Sequence, residues 1–292
     1  MAAKAVKAEK IAFQEPATTI FPKTPLAYAI RYALLALVLF FFLFPLFWLA
    51  TLAFKTPDDY FASPPVWFSS QPTLIHLQTL LQGKGITSLL NSLIISGGAT
   101  LLAILLGVPA AYSMARFNTG GRNLAMWILS QRMLPPVVIV LPIFIIFRNL
   151  RWVDTHHGMI VLYAAFNLPY VIWMMRGYFR DIPRDIEDSA LVDGCGYWGT
   201  LWRIAVPLAL PGLLTTAAFT FIFAWNEFLF AVVLTRVNAS PVTVALAGMF
   251  GSQSSFLGQV SWLSWIALVP IFVLTLIMQR YLVRGMTMGA VR

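Results

Sequence analysis

Six apolar runs constrain this chain more than any other feature. They fall at about 29–53, 88–115, 124–147, 159–175, 207–234 and 262–282. Each is about as long as a helix needs to be to cross a hydrocarbon core. In lipid the backbone can satisfy itself only as helices or as a closed barrel. The runs do not alternate polar with apolar, so helices follow. Only 11% of residues are charged, against about a quarter in a soluble globular domain. The expected fold class is therefore all-α integral membrane, with six transmembrane helices and the bilayer itself as a partner.

The formal net charge is +9. A nucleic-acid partner would call for basic clusters interleaved with aromatics, and the cations instead sit between the apolar runs. Lys/Arg bias in short loops sets orientation. With a cytoplasmic N-terminus, Lys55, Lys84, Arg148, Arg151 and Arg236 fall outside and the other fifteen of the twenty cations fall inside. Both termini are then expected to be cytoplasmic. The first run is too long for a signal peptide core and reads as a retained span. Cys195 is the one cysteine, which excludes an internal disulfide and a cysteine-based zinc site.

Five of the eleven acids crowd between Asp181 and Asp193. They lie between the fourth and fifth runs, on the expected cytoplasmic side. Pro183 suits a first helical turn, and Asp185, Glu187 and Asp188 suit the positive end of a helix dipole. Ile186, Ala190, Gly194, Tyr197 and Leu201 fall at helical spacing, giving one apolar face. A helix lying on lipid is normally basic on its polar face. An acidic one is better suited to a groove on a cytoplasmic partner.

The spacing is specific. Asp188-Ser189-Ala190, then three residues, Gly194, then nine residues, then Ile204-Ala205-Val206-Pro207 resembles the E-A-A loop of ABC-importer permeases. "RMLPP" at 132–136, "FAWNEFLFAVVL" at 223–234 and "QRYLVRGMTMGAVR" at 279–292 resemble the carbohydrate-uptake permeases of the maltose permease G type. The resemblance implies a type I ABC-importer permease fold with a cytoplasmic coupling helix. It divides the chain into an N-terminal cytoplasmic tail (1–28), a first transmembrane helix with a periplasmic loop (29–84), a permease core (85–283, coupling loop 180–206) and a cytoplasmic tail (284–292).

It also implies partners: a second homologous permease subunit, two cytoplasmic ATPase subunits and a periplasmic solute-binding protein at the bacterial inner membrane. Glu187, Asp188, Ser189, Ala190 and Gly194 would meet the ATPase, the acids through charge and the small residues through close packing. The 285–292 tail would lie near the ATPases, and the outer loop 237–261 would meet the binding protein. ATP and Mg²⁺ would belong to the ATPases, and this chain needs no cofactor of its own.

Asn91, Asn167, Asn226 and Glu227 are candidates for a solute path, since polar groups inside spans are costly. Asn226 and Glu227 can equally bond to a neighbouring helix, whereas residues such as Asn91 and Asn167 more often bond across helices than line a path. Asp154, His156 and His157 make a weak metal cluster, because adjacent histidines do not readily converge on one ion. No phosphate-binding loop of the G-x-x-x-x-G-K-[ST] type occurs, and no nucleophile–base motif stands out, so the chain is not expected to be an enzyme. A stand-alone secondary transporter is the alternative. It would call for an internal repeat and several mid-membrane ionisable groups.

Overall fold

A computed structural model describes residues 24–249 and 257–287. Lys4, Lys7, Lys10 and Lys23, residues 250–256 of the outer loop and the tail beyond 287 lie outside the described residues. Among the described residues every regular element is helical.

Residues up to Leu49 form one unit and the chain from Ala50 a second. The first is the bulk of α1 (Pro25–Phe54). Its side chains are apolar all round and exposed, the surface of a helix made for lipid or for another apolar helix.

The second unit begins with the end of α1, where the Trp262 indole donates to the Ala53 carbonyl at 2.9 Å. Then come α2 (Ile75–Gln82), α3 (Gly85–Arg116), α4 (Gly121–Ser130), α5 (Pro136–Leu150), α6 (His156–Asp181) and α7 (Arg184–Val192). Next are α8 (Tyr197–Thr200), a π-helical turn at Leu201–Ala205, α9 (Val206–Leu208), α10 (Leu210–Trp225), α11 (Leu229–Leu234), α12 (Val242–Met249) and α13 (Leu257–Thr287).

Four helices are long and apolar enough to cross a membrane: α1, α3, α6 and α13. Two more crossings arise only if bent pairs each count as one span. The sequence reading took 124–147 and 207–234 as one span each. The structure bends the first, and it bends the second just past its expected start, with helix reaching back to Tyr197. Gly121–Met133 meets Pro136–Leu150 at 90°. Leu134 and Pro135 are extended there, and Pro136 opens α5. A residue before proline is pushed out of the helical region, so the Pro135-Pro136 pair forces the corner.

Tyr197–Leu208 meets Leu210–Trp225 at 81°. Ala209 takes φ −83° and ψ 5° at that bend, and Pro211 has no N–H to continue the ladder. The expected 207–234 span breaks again after Trp225 and resumes at Leu229. The outer segment, read as a loop, holds α12 and the start of α13.

The main core lies between α3 and α6. Ala99, Ala103, Val108 and Ala111 are fully buried on α3, facing Ala164, Val171 and Met175 of α6. A Cβ on Gly107 would meet Val171 Cγ1 at 2.6 Å, and one on Gly98 would meet Ile160 Cδ1 at 2.8 Å. Small residues thus let the two backbones approach, as membrane helices favour. The helices run in the same direction. His156 at the start of α6 bonds Asn91 near the start of α3, and Arg116 at the end of α3 reaches the Ile182 carbonyl just past α6.

Candidate functional site

The acidic connector folds as a short helix with a sharp stop. Asp185 and Glu187 occupy the first turn of α7. The helix ends in a left-handed cap. Gly194 has φ +87°, the Cys195 N–H donates to the Ala190 carbonyl at 3.0 Å, and the Gly194 N–H donates to Leu191 at 3.1 Å. Those two bonds define a Schellman motif, which wants glycine at this position. The fixed Ala190-to-Gly194 spacing is therefore a helix-stop signal.

The sequence-predicted residues part company around this helix. Asp188 and Ser189 are exposed, with the Ser189 hydroxyl donating to the Asp185 carbonyl at 2.7 Å. Ala190 is 8% exposed and packs inward. Gly194 is exposed, with nothing within 4 Å of where a Cβ would be. The expected single apolar face is split. Leu201 turns inward with Ala190, whereas Ile186, Val192, Tyr197, Trp198 and Trp202 are exposed. Val192 at 87% and Trp198 at 66% form the kind of apolar surface that marks a contact site.

Glu187 points the other way, at 4% exposure. Arg116 Nε donates to its two carboxylate oxygens at 3.0 and 2.9 Å. Arg116 Nη2 donates to Oε1 at 2.5 Å and to the Ile182 carbonyl at 3.0 Å. The Tyr112 hydroxyl donates to Oε2 at 2.9 Å. Tyr112 and Arg116 lie one turn apart on α3 and so share a face. The Glu187 carboxylate is thus spent inside this chain, where the sequence reading had it meeting a partner. A buried, bidentate pair of this kind locks geometry, and removing one partner leaves a charge uncompensated.

The opposite end of the α3–α6 pair carries a second fastening. The Asp154 carboxylate accepts from the backbone N–H groups of Arg236, Val237, Asn238 and Ala239 at 2.9 to 3.2 Å, and from the Asn238 amide at 3.1 Å. Asp154 itself sits at φ +60°. Burial pushes its pKa up, but the four backbone donors together outweigh that and hold it below the usual carboxylate range. The Asn91 amide donates to the carbonyls of Asn238 and Ser240, both at 3.0 Å. The Val242 N–H donates to the Ser92 hydroxyl at 2.8 Å.

Asp154, His156 and His157 do not converge. His156 bonds Asn91 Oδ1, and His157 lies beside Thr155. Among the described residues no cluster could hold a metal.

The four solute-path candidates are dispersed. Asn91 belongs to the fastening just described. Asn167 is buried and donates to the Tyr163 carbonyl at 2.9 Å. Asn226 is exposed and donates back to the Ile222 carbonyl at 2.9 Å. Glu227 stands in the break before α11. Its carboxylate accepts from the Phe230 and Ala231 N–H groups at 2.9 and 3.2 Å and from the Tyr163 hydroxyl at 2.5 Å. An acid capping a helix N-terminus accounts for a carboxylate inside a span, and that span breaks where the cap stands.

Bent apolar helices around a tight α3–α6 pair, with an exposed helix presented between α6 and α10, suit a transport permease. The chain matches the family described as binding-protein-dependent transport system inner membrane component over residues 103–288, and it belongs to that family. It is 36% identical over 262 residues to the trehalose transport system permease protein SugB of Mycobacterium tuberculosis, covering 88% of this chain and 94% of that one. It is 33% identical over 258 residues to the trehalose/maltose transport system permease protein MalG of Thermococcus litoralis, covering 86% and 91%.

Among solved structures, a bacterial ABC transporter involved in the import of the acidic polysaccharide alginate shares the fold. The TM-score is 0.75 at 22% identity, with 88% of this chain and 96% of that one aligned. The protein is a permease of a binding-protein-dependent ABC importer, and a stand-alone secondary transporter is not favoured.

Proposed function

We propose that this chain is one transmembrane subunit of an ATP-driven importer of a sugar or sugar-like solute, a polyol or oligosaccharide included. The carrying observation is the outward face of α7 and α8, fixed from behind by the buried Arg116–Glu187 pair. Asp188 and Ser189, with Val192 and Trp198 beside them, would seat in a cleft of a cytoplasmic ATPase. Gly194 keeps that surface free of side-chain bulk. Glu187 acts one step behind, holding α7 to α3 so that a push on the helix reaches the spans.

Two such loops, one on this chain and one on a second homologous permease, would each meet an ATPase carrying ATP and Mg²⁺. Closure of the ATPases then shifts the population between inward- and outward-facing states through differential binding. Both termini lie on the ATPase side of the bacterial inner membrane. The Asp154-clamped segment faces a periplasmic binding protein. Asn226 and Glu227, at the break in the fifth span, remain path candidates, whereas Asn91 and Asn167 serve helix packing.

Reconstitution of the chain with its partners tests this reading. Uptake should need both ATP and the binding protein. Gradient-driven uptake by the lone chain would overturn it.

A further inference from the structure

Arg132 stands at the 90° corner between α4 and α5, which make a span only as a bent pair, and it is exposed. Its guanidinium carbon lies 5.4 Å from the Tyr170 ring centroid and 4.9 Å from that of Phe223. Tyr170 fixes the depth. It is eleven residues from the Asp181 end of α6 and fourteen from the His156 end, about 17 and 21 Å at 1.5 Å per residue. Tyr170 is also about 9 Å from Arg176, so Arg132, which the loop bias counted on the cytoplasmic side, sits within the length of α6 and toward its cytoplasmic half.

Among the described residues no acid or carbonyl accepts from it. A guanidinium inside a span is costly against lipid and is better placed against water or another molecule. The two rings hold it by cation–π attraction and leave its N–H fork open, a fork suited to paired oxygens. The surface beside it is aromatic. Phe223 meets Tyr170 edge-on at 5.2 Å and Phe219 at 6.2 Å, and both phenylalanines are exposed. A few polar groups on an aromatic lining is the make-up of a small-molecule site.

We propose that Arg132 contacts the solute in the transport path, donating its fork to paired oxygens of a carbohydrate while Phe219 takes the apolar C–H face. The paired oxygens are those of a carboxylate or of a vicinal diol. The inference rests on the importer reading above and names the site at which that solute is held.

The test uses the full complex in proteoliposomes with glucuronate, trehalose and sorbitol as probes. The wild-type complex should accumulate at least one of them on ATP; accumulation of none overturns this inference and leaves the importer reading to the reconstitution above. With an accumulated probe, Arg132→Gln should lower the maximal uptake rate at least tenfold with the apparent KM, set by the binding protein, unchanged, and Arg132→Lys should recover part of it. ATPase stimulation by the loaded binding protein should stay within twofold of wild type.

Loss confined to glucuronate assigns a carboxylate, and loss with trehalose or sorbitol assigns a diol. Unchanged uptake in Arg132→Gln overturns the inference while leaving the importer reading standing. So does a complex that no longer co-purifies, because the guanidinium would then be pairing with the partner permease.

Discussion

The two ends of the α3–α6 pair are fastened by different chemistry. At one end Arg116 and Tyr112 grip Glu187 side chain to side chain, and the pair is 8% and 5% exposed. At the other, Asp154 grips four backbone N–H groups, and Asn91 two carbonyls. Residue identity on both sides decides the first joint. Only the carboxylate and amide decide the second, since any non-proline residue supplies an N–H. The first joint holds a helix whose other face is exposed, and a side-chain pin orients such a helix. The second gathers a turn, for which main-chain bonds suffice. From Asn91 to Arg116 the helix is about 37 Å long, so α3 ties the two ends together.

The largest expected effect comes from the surface beyond the pin. Gly194→Asp should abolish uptake and ATPase association while the permease still inserts, read by transport assay and co-purification. In this chain a Cβ at Gly194 meets nothing within 4 Å, so the loss would come from the partner surface and from left-handed strain.

Next is the pin itself. Glu187→Ala should destabilise the connector by about 3–5 kcal/mol, seen as faster proteolysis between 182 and 206. The swapped pair Arg116→Glu with Glu187→Arg should restore part of it. No rescue would mean that the joint is not an ion pair in function.

Asp154→Asn is expected to cost less, about 1.5–3 kcal/mol for a charge-assisted bond, and to speed amide exchange at 236–239. The folded pKa of Asp154 is depressed. Its stabilisation is therefore complete above the ordinary aspartate pKa of about 3.9 and is lost only as pH falls through the lower folded value. Exchange at 236–239 should be flat in its Asp154-dependent part from about pH 5 to 8. Asn91→Ala should have the smallest effect, about 1 kcal/mol, and should loosen 238–240 alone.

Much of the fold was legible because lipid makes crossing helices the cheapest solution for long apolar runs. The acidic loop was legible because the spacing from Asp188 through Gly194 to Pro207 resembles a family pattern, although Gly194, read there for close packing, proves to be a helix stop. The corners were not, although Pro135-Pro136 carried the signal, since hydropathy is blind to direction. Nor was the break at Glu227, which holds neither glycine nor proline and depends on Tyr163 sixty-four residues away. Glu187 was read as outward because its partner Arg116 lies seventy-one residues earlier, and spacing cannot reveal such a pairing. Asp154 was grouped with two neighbouring histidines, whereas its ligands are backbone amides, which no sequence pattern displays.

The central claim is that the outward face of α7 is the joint to an ATPase. Ser189 is exposed on that face, and Cys195 is the one native cysteine. A Ser189→Cys chain in a Cys195→Ser background, assembled with its partners, should cross-link through a short thiol reagent to the ATPase subunit, with a yield that changes when ATP is added. Cross-linking to the second permease, and none to the ATPase in either condition, would contradict it.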